Sequence, residues 1–577
     1  MKARVDFPQG DARLRLVFAA PLARLVAQTL EEVPAVLDAA LQAARAGRWV
    51  VGFVAFDAAP AFDAALRVRP PDGFLPLAAF AVHAAAEEGA EPAADEHFHC
   101  GPWHIATDEA AACAAIDTLR RRIDDGEFYQ VNLTTRVFAD FSGSGAALFA
   151  ALVATQPAGY CLHLRDDDWE ILSVSPELFF DWHPDGTLIT RPMKGTAPRH
   201  DDPDRDAAAA KALLTSEKER AENLMIVDLM RNDLSRIARL GTVCVPELFA
   251  LDGLPTAWQM SSTVQCITRP EVALSDVFAA LFPCGSVTGA PKVAAMAAIA
   301  ALEDAPRGAY CGALGIIRPG GHATFNVGIR TVVIDRRLGR AECGIGSGIV
   351  HDSEPRREYA EWLIKRRFLL RATANFALLE TLALEDGDYV LLERHLERLS
   401  SSAAHFGFPC DRARIGRQLA ALAAAHPAGS WRVRLLLGRT GSVETEIHAL
   451  EPTPPEVIVV LASRPIEADV EFLRHKTTER CAYAPFSPPP GVFDTLLWNA
   501  QGEITEFTRG NVVLELDGSR VTPPLAAGLL PGVLRAKLLA RGEIVERRVR
   551  IEELARATQL WFINSVRGWV RVKLLDP

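Results

Sequence analysis

The sequence predicts an α+β protein built from two domains. The chain has 577 residues, and at roughly 150 residues per domain this length implies two to four folding units. Between about 106 and 368, long amphipathic helical stretches alternate with short β-branched runs such as TFNVGIRTVVI from Thr324. Helical and strand periodicities within one region are typical of helices packed against sheets.

The character of the sequence changes near residue 370. A helical pattern from Glu354 ends in RATANF, and LLETLALEDGDYVLLERHLERL then starts a second unit. We predict an N-terminal segment at 1–105, a catalytic domain at 106–369 and a C-terminal domain at 370–577. The acidic, alanine-rich stretch at 87–96 predicts a surface connection between elements.

Composition excludes several classes of protein. Lys+Arg 62 against Asp+Glu 73 gives a net charge of −11, which argues against nucleic acid as a partner. Ten cysteines without a CxxC pair favour a reducing compartment over a disulfide or zinc framework. Neither a signal peptide nor a run long enough to span a bilayer is evident. The sequence therefore predicts a cytoplasmic protein without membrane partners.

Two carboxylate pairs have helical spacing. Glu219 with Glu222, and Glu358 with Glu361, are each three residues apart, so each pair projects from one helix face. A single pair of this kind is most simply a solvated helix face. Two such faces together provide the oxygen ligands that Mg²⁺ prefers, and a shared magnesium site becomes a hypothesis.

Three glycine-containing segments suggest loops near this site. RPMKGTAPR places Lys194 on a short turn, and FPCGSVTGAPK lacks the GxxxxGK[ST] spacing of nucleotide hydrolases. CGIGSGIVHDSE lacks the dinucleotide fingerprint, but backbone N–H groups around Gly346 are suited to receive a carboxylate.

Seven segments, taken in order, resemble the chorismate-utilising enzyme family. The resemblance covers most of residues 106–368 and implies a β-sandwich with surrounding helices, of the anthranilate synthase component I type, acting on chorismate. The segments are GEFYQVNLT from Gly126, SPELFF from Ser175, RPMKGTAPR from Arg191, ERAENLMIVDLMRNDL from Glu219, FPCGSVTGAPK from Phe282, FNVGIRT from Phe325 and GIGSGIVHDSEPRREYAEW from Gly344.

The resemblance implies roles for individual residues. Glu222 and Glu361 match direct Mg²⁺ ligands, and Glu219 and Glu358 match an outer pair that holds metal-bound water. Glu177 matches the general acid that protonates the departing C4 hydroxyl, which requires a carboxyl kept protonated. The remaining matches are substrate contacts. Arg330 matches a residue that pairs with a substrate carboxylate, and Lys292, Gly346 and Thr196 match residues around the dianion.

Three positions distinguish branches of the family. Gln130 stands where water-adding members carry a lysine base, so ammonia is favoured over water as the nucleophile. Lys194 stands where anthranilate-forming members read PIAGT, and it is typical of members that form 4-amino-4-deoxychorismate. There the amine attacks C2 covalently before ammonia enters at C4. Gln259 replaces a common family histidine, and we interpret it as an orienting amide.

The source of ammonia lies outside this chain. No GxCxG nucleophile elbow of a glutaminase occurs in the sequence. The resemblance therefore implies a separate glutamine amidotransferase subunit as partner.

The C-terminal region resembles the class IV aminotransferases, which bind pyridoxal 5'-phosphate (PLP) on fold type IV. The matching segments are HLERL, RHKTTER, GEITEFTRGN, GLLPGVLR and FINSVRG, in that order. The resemblance implies that Arg398 binds the cofactor phosphate, that Lys476 binds the cofactor covalently and that Glu506 faces its pyridine nitrogen.

The phosphate cup and the assembly of this domain follow from the same resemblance. The backbone at Val533 and Leu534, at a helix start, and the side chain of Ser565 would complete the cup. The α+β domain is shortened at its N-terminal strands, and a homodimer through it is one assembly that the resemblance allows.

Together the two resemblances imply a bifunctional enzyme of 4-aminobenzoate synthesis, which supplies folate. Mg²⁺-dependent amination of chorismate gives 4-amino-4-deoxychorismate, and PLP-dependent elimination of pyruvate then gives 4-aminobenzoate. Two alternatives stay open. The first is an anthranilate-forming enzyme, and the second is a C-terminal domain that is a degenerate PLP-binding or interaction module.

Overall fold

The computed structural model of the chain describes residues 1–10, 12–89, 97–156, 159–199, 203–253, 257–373, 376–466 and 470–575. It divides into two compact units, Met1–Thr373 and Ala374–Pro577. Most of the predicted surface connection at 87–96 lies outside the described residues. Within the described ranges, no helix combines the length and the apolar character needed to cross a membrane.

The first unit is formed by two large antiparallel sheets and the helices that cover them. Its strands are β1 Lys2–Gln9, β2 Ala12–Phe18, β3 Ala23–Ala27, β4 Trp49–Val54, β5 Ala78–His83, β6 Glu87–Glu88, β7 Phe98–Cys100, β8 His104–Ile105, β9 Gln130–Gly143, β10 Tyr160–Arg165, β11 Trp169–Ser175, β12 Leu178–Trp182, β13 Thr187–Arg191, β14 Met193–Pro198, β15 Cys244–Gly253, β16 Ala257–Ile267, β17 Gly289–Ala290, β18 Ala313–Ile317, β19 Ala323–Val327, β20 Thr331–Asp335 and β21 Arg340–Ile349. Its helices are α1 Glu32–Arg45, α2 Glu109–Asp124, α3 Gly145–Thr155, α4 Pro203–Thr215, α5 Glu217–Ser235, α6 Leu274–Leu281, α7 Lys292–Leu302, α8 Pro355–Lys365 and α9 Arg367–Thr373.

The two sheets pack face to face. One runs in the order β17-β9-β21-β20-β11-β10-β1-β2-β6, and the other in the order β14-β16-β13-β12-β19-β18-β4-β5-β3. Val5, Phe7 and Leu162 of the first sheet share a buried apolar cluster with Val51 and Phe53 of the second. Alternating inward side chains of two sheets build such a core, so the predicted β-sandwich is confirmed.

Helices cover the outer faces of the sandwich. Leu37 of α1, Ile226 of α5 and Phe278 of α6 pack in a cluster with Phe325 of the second sheet. On the first sheet, a separate cluster joins its apolar residues to α2, α3, α7, α8 and α9. Strands β1 and β2 belong to the first sheet, and β3 to β5 belong to the second. Residues before 106 are therefore part of the same unit.

The second unit contains two smaller sheets, β23-β22-β24-β25 and β28-β27-β26-β33-β32-β29-β30-β31. α10 and α11 pack on the first of these sheets, and α13 packs on the second. The predicted α+β class of both domains is confirmed. The elements are β22 Leu378–Glu385, β23 Asp388–Tyr389, α10 Leu392–Phe406, α11 Arg412–Ala425, β24 Ser430–Leu437, β25 Val443–Ala449, β26 Glu456–Leu461, α12 Val470–Arg474, β27 Asp494–Trp498, β28 Ile504–Phe507, β29 Asn511–Leu516, β30 Ser519–Thr522, α13 Val533–Ala540, β31 Val545–Glu546, β32 Gln559–Asn564 and β33 Gly568–Leu574.

Local sequence fixes the helix ends that carry the candidate carboxylates. The Ser216 hydroxyl accepts a hydrogen bond from the Glu219 backbone N–H at 3.3 Å, which caps α5. α8 starts with Pro355 in its first turn, where the missing N–H of proline costs nothing. Both carboxylate pairs therefore lie within the first two turns of their helices.

Candidate functional site

Lys194 lies at the meeting point of three elements. It is on β14 beside a register shift, next to Gly195, whose φ is +92°. The segment is thus an irregular strand where a turn was predicted. The Lys194 amine lies 3.5 Å from Glu222 Oε2. A Cβ added to Gly348 would lie 2.9 Å from that amine and 2.7 Å from Gln130 Nε2, so the amine and the amide face the same end of β21.

Gln130 is a buried amide without partners. It is the first residue of β9, and within the described part of the chain neither its Oε1 nor its Nε2 has a hydrogen-bond partner. An unsatisfied buried amide costs about 1–3 kcal/mol per group. Such a cost is typical of a group that binds a ligand.

Glu177 has the properties of a general acid. It is 4% exposed, between β11 and β12, and burial raises its pKa to about 7, against the opposing effects of a Ser286 hydrogen bond and the Lys194 charge. Its Oε1 is buried without a hydrogen-bond partner among the described residues. A carboxyl that keeps its proton near neutral pH beside a cation is suited to protonate a leaving hydroxyl.

The carboxylates of α5 and α8 face one another. Burial raises the pKa of Glu219, and the negative charges of Glu222 and Glu361 raise it further. Burial alone would also raise the pKa of Glu361, but Lys365, with its Nζ 2.8 Å from Glu361 Oε1, lowers it. Sequence reasoning missed Lys365, although a lysine four residues after a glutamate on one helix is a readable signal.

The oxygen chemistry of the donor set suits a hard divalent cation, although in the described residues no three of these four carboxylates have ligand oxygens within 4.8 Å of one another. Glu358 accepts a hydrogen bond from the Ser353 hydroxyl at 2.7 Å, while its Oε2 is buried without a hydrogen-bond partner in the described chain. Mutual repulsion among carboxylates and an unpartnered carboxylate oxygen are both relieved by a bound cation. The residues that would hold Mg²⁺ are therefore Glu219, Glu222, Glu358 and Glu361.

Gln259 orients the strand that carries Lys194. Its Nε2 donates to the Gly195 carbonyl at 2.9 Å, and its Oε1 accepts from the Thr196 hydroxyl at 3.0 Å. Both contacts are made to the two residues that follow the lysine. The Gln259 amide thus fixes the backbone at Gly195, and it also binds the Thr196 hydroxyl.

Lys292 and Gly346 make contacts that the sequence did not predict. The Lys292 amine donates to Asp233 at 3.0 Å and to the Leu281 carbonyl at 3.2 Å, so its charge is already balanced. Gly346 is inside strand β21 and not in a loop, because a Cβ there would lie 2.3 Å from the Leu133 carbonyl of β9. This glycine permits the close approach of two strands.

Arg330 lies apart from the Lys194 cluster in the contacts of the described residues. Its guanidinium donates to Gln156, and it adopts a left-handed backbone with φ of +49°. Burial and the charge of Arg371 lower its pKa to about 10. No carboxylate of the described chain lies within 4 Å of it, so this partly buried cation suits an anionic ligand.

In the second unit, the predicted PLP residues line one cavity of about 350 Å³. These residues are Lys476, Arg398, Glu506, Val533 and Ser565. The side chain of Leu534 packs instead against the apolar cluster under α13, so this residue can contribute only its backbone. Burial, followed by the charge of Arg398, lowers the pKa of Lys476 to about 8.

Arg398 is fixed by a buried carboxylate. It donates to Glu380 at 2.8 Å and 2.7 Å, and His395 contacts the same carboxylate at 2.6 Å. Although burial alone would raise the pKa of Glu380, the Arg398 charge lowers it to about 2. The guanidinium is thereby held at the cavity wall in one orientation.

Glu506 is the single acidic side chain that lines this cavity in the described chain. It accepts hydrogen bonds from the Tyr483 hydroxyl at 2.8 Å and the Leu530 N–H at 3.2 Å, and burial raises its pKa to about 7. Sequence reasoning missed Tyr483, which no motif marks. A Cβ on Gly532 would lie 1.9 Å from Asn511 Oδ1, so only glycine fits beside the helix start of α13.

These features fit PLP. An amine with a lowered pKa suits condensation with an aldehyde, and a helix N-terminus with a fixed arginine suits a phosphate. A carboxylate in the lining of the same cavity suits a protonated pyridine nitrogen.

Comparison with known proteins supports both domains. Residues 83–371 match the family model described as chorismate binding enzyme, and residues 377–575 match that of amino-transferase class IV. The structure of anthranilate synthase component I from Streptococcus pneumoniae superposes with a TM-score of 0.52 at 24% identity, covering 63% of this chain and 89% of that one. This last likeness shows the fold alone.

Two relatives differ in their product. Aminodeoxychorismate synthase component 1 of Klebsiella aerogenes is 42% identical over 239 residues, which cover 41% of this chain and 52% of the relative. Anthranilate synthase component 1 of Methanothermobacter thermautotrophicus is 40% identical over 257 residues, covering 44% and 55%. The chain spans about half the length of the curated relatives that it matches. The match to the first family model, at residues 83–371, nevertheless covers half of the sequence. The chain therefore belongs to the chorismate binding enzymes and carries a class IV amino-transferase domain after that region.

Proposed function

We propose that the chain makes 4-aminobenzoate in two steps, with amination of chorismate in the first unit and elimination of pyruvate in the second. The observation that carries the proposal is the Lys194 amine, which lies 3.5 Å from Glu222 and faces the unpartnered amide of Gln130. An amine in an acidic, cation-binding site is placed for covalent attack on a dianionic ring held through its carboxylate.

The first step is a displacement with a shift of the ring double bonds. The Lys194 nitrogen bonds to C2, the C4–O bond breaks, and the hydroxyl leaves as water with the proton of Glu177. Ammonia then bonds to C4 and the C2–N bond breaks, which returns Lys194, while Glu177 regains a proton from the new amine. Bound Mg²⁺ would hold the ring carboxylate and stabilise its charge. Gln130 cannot serve as a base for water, which favours ammonia.

Ammonia is proposed to come from a separate glutamine amidotransferase subunit. The relatives are named as component 1 of their synthases, and this chain has no glutaminase elbow. Free ammonium should therefore replace the partner in vitro.

The second step is proposed at Lys476. When bound, PLP supplies an electron sink next to ring C4. Lys476 removes the C4 proton, and the C3–O bond breaks as the ring becomes aromatic. The enolpyruvate that leaves takes up the proton from Lys476 and becomes pyruvate. Arg398 and the start of α13 would hold the phosphate, and Glu506 would hold the pyridine nitrogen.

The alternative product is anthranilate, and the relatives include an anthranilate synthase component 1 at 40% identity. The test is to incubate the chain with chorismate, ammonium, Mg²⁺ and PLP, and to identify the aromatic amine. We expect the para isomer with one pyruvate per ring. The ortho isomer would replace the proposal with the alternative, and accumulation of the 4-amino intermediate would leave a C-terminal module without lyase activity.

The pH dependence of the first step tests Glu177. Because its pKa is raised from 4.5 to about 7, the carboxyl is protonated below pH 7 and loses its proton above it. With free ammonia held constant, we expect kcat/KM for chorismate to fall as pH rises through about 7. Glu177→Gln should lower the rate by about 10²–10⁴-fold and remove this limb. If Glu177→Gln still shows the fall in kcat/KM above pH 7, that fall belongs to another titrating group.

The metal dependence tests the carboxylates. Glu361→Ala removes one proposed ligand, and we expect the Mg²⁺ concentration for half-maximal turnover to rise by about 100-fold or more, since even outer-shell losses cost 10–100-fold. Glu354→Ala is the matched control, because Glu354 precedes α8 and pairs with the exposed Arg357 at 2.6 Å. An equal Mg²⁺ response in both variants would remove Glu361 from the ligand set.

A further inference from the structure

The cavity of the second unit is far more cationic than a PLP phosphate requires. In the described residues it is lined by Arg398, Arg432, Arg434, Lys476, Arg480, Arg509 and Arg567, against Glu506 as its acidic side chain. The chain as a whole carries a net charge of −11. Such a local excess of positive charge marks a site for anions.

Most of these cations already have a protein partner. Arg398 is paired with Glu380 at 2.7 Å, Arg434 with Glu446 at 2.7 Å and Arg509 with the buried Asp494 at 3.2 Å. Arg480 donates to the Thr508 carbonyl. These contacts fix the walls of the cavity, and three of its seven cations are thereby paired with a carboxylate.

Arg432 and Arg567 lack such an ion pair among the described residues, as do Lys476 and Arg480. Arg567 donates to the uncharged Thr453 hydroxyl at 2.5 Å and lies over the Phe493 ring at 5.8 Å. Arg432, on β24, is exposed to solvent and lines the same cavity. In the described chain, neither guanidinium has a carboxylate within 4 Å. Both line the same cavity, and burial, followed by the charges of Arg509 and Arg432, lowers the pKa of Arg567.

Two mutually repelling arginines with no counter-ion form an incomplete carboxylate site. A carboxylate placed between them would gain the forked, charge-assisted hydrogen bonds that guanidinium groups offer and would relieve the repulsion. Phe493, which lies beside Arg567 and Arg509, provides an apolar surface for a ring next to that carboxylate.

We propose that Arg432 and Arg567 form a carboxylate clamp that makes this site selective for a cyclic dicarboxylate over an ordinary α-amino acid. The inference rests on the proposed function and deepens it, since 4-amino-4-deoxychorismate carries two carboxylates and a simple amino acid carries one. The clamp holds a carboxylate distant from the amine that meets Lys476.

The test uses the full chain loaded with PLP and isophthalate as probe. Titration is followed by the change in the yellow absorbance of bound PLP, which reports on the second unit alone. Wild type should bind, and Arg432→Gln and Arg567→Gln should each weaken binding about tenfold or more, as expected for one charged hydrogen-bonded contact. The exposed Arg571→Gln on β33 is the matched control and should bind as wild type does.

The outcomes separate the clamp from the proposed function. Unchanged isophthalate affinity in both clamp variants would overturn the clamp. Loss of the PLP absorbance itself in those variants would also overturn it, because the arginines would then serve the cofactor. If wild type fails to convert 4-amino-4-deoxychorismate while isophthalate binding still depends on both arginines, the clamp stands and the proposed function fails. The single variant Arg432→Gln keeps the test usable if the partly buried Arg567 is needed for folding.

Discussion

Lys194→Ala is expected to abolish formation of 4-amino-4-deoxychorismate, with a loss of turnover on the order of 10⁴-fold or more, as for removal of a covalent nucleophile. The reason is positional. The amine stands beside Glu222 and Gln130, where no other described amine faces both. The measurement is the rate of chorismate consumption with saturating ammonium and Mg²⁺, together with chromatographic detection of the amino product.

The control for this experiment is Lys218→Ala. Lys218 is also near Glu222, at 3.9 Å, but 56% of its side chain is exposed, so its loss changes the local charge without removing the nucleophile. We expect near wild-type synthesis from this control. Undiminished synthesis by Lys194→Ala, or an equal loss in both variants, would show that Lys194 is not the nucleophile. Mass spectrometry of wild type quenched with chorismate in the absence of ammonia should show an adduct on Lys194.

The sequence was sufficient to predict the fold class and the sandwich, because the motifs are short segments with a distinctive order. The residues assigned to both sites stay predictions. The sequence could not predict the distances between these residues. Lys194, Gln130 and Gly348 are far apart in the chain and meet only because β9, β14 and β21 end near one another. Pairing between distant strands is set by the whole fold, so no local pattern reveals it.

The differences between expectation and structure have a common physical cause. Gly346 was expected in a loop, yet strand pairing with β9 overrides the local preference of glycine for turns. Lys292 was expected at the substrate, which stays a prediction, and its amine pairs with Asp233, which is distant in sequence. Leu534 follows the helix start, and its side chain turns to the apolar cluster. In each case, contacts with residues distant in sequence determine the surroundings of the residue.

Lys476→Ala is expected to abolish the yellow absorbance of bound PLP and the formation of 4-aminobenzoate, while synthesis of the 4-amino intermediate continues. With a pKa lowered from 10.5 to about 8, the amine is neutral above pH 8 and protonated below it. The rate of PLP uptake by the wild type should therefore rise as pH increases through about 8. An unperturbed lysine would place this rise more than two pH units higher.

The control variant is Lys573→Ala, on the exposed side of β33, which should bind PLP and form 4-aminobenzoate as wild type does. Borohydride treatment of the wild type should fix the cofactor on Lys476, as shown by peptide mapping. Because the two units have separate lysines, a double assay resolves them: Lys194→Ala should retain the yellow absorbance, and Lys476→Ala should retain chorismate consumption. If Lys476→Ala also loses chorismate consumption, the first unit depends on the second, and the two activities cannot be assigned to independent sites. If it still forms 4-aminobenzoate, the elimination occurs without the lysine, and the lyase assignment of the C-terminal unit fails.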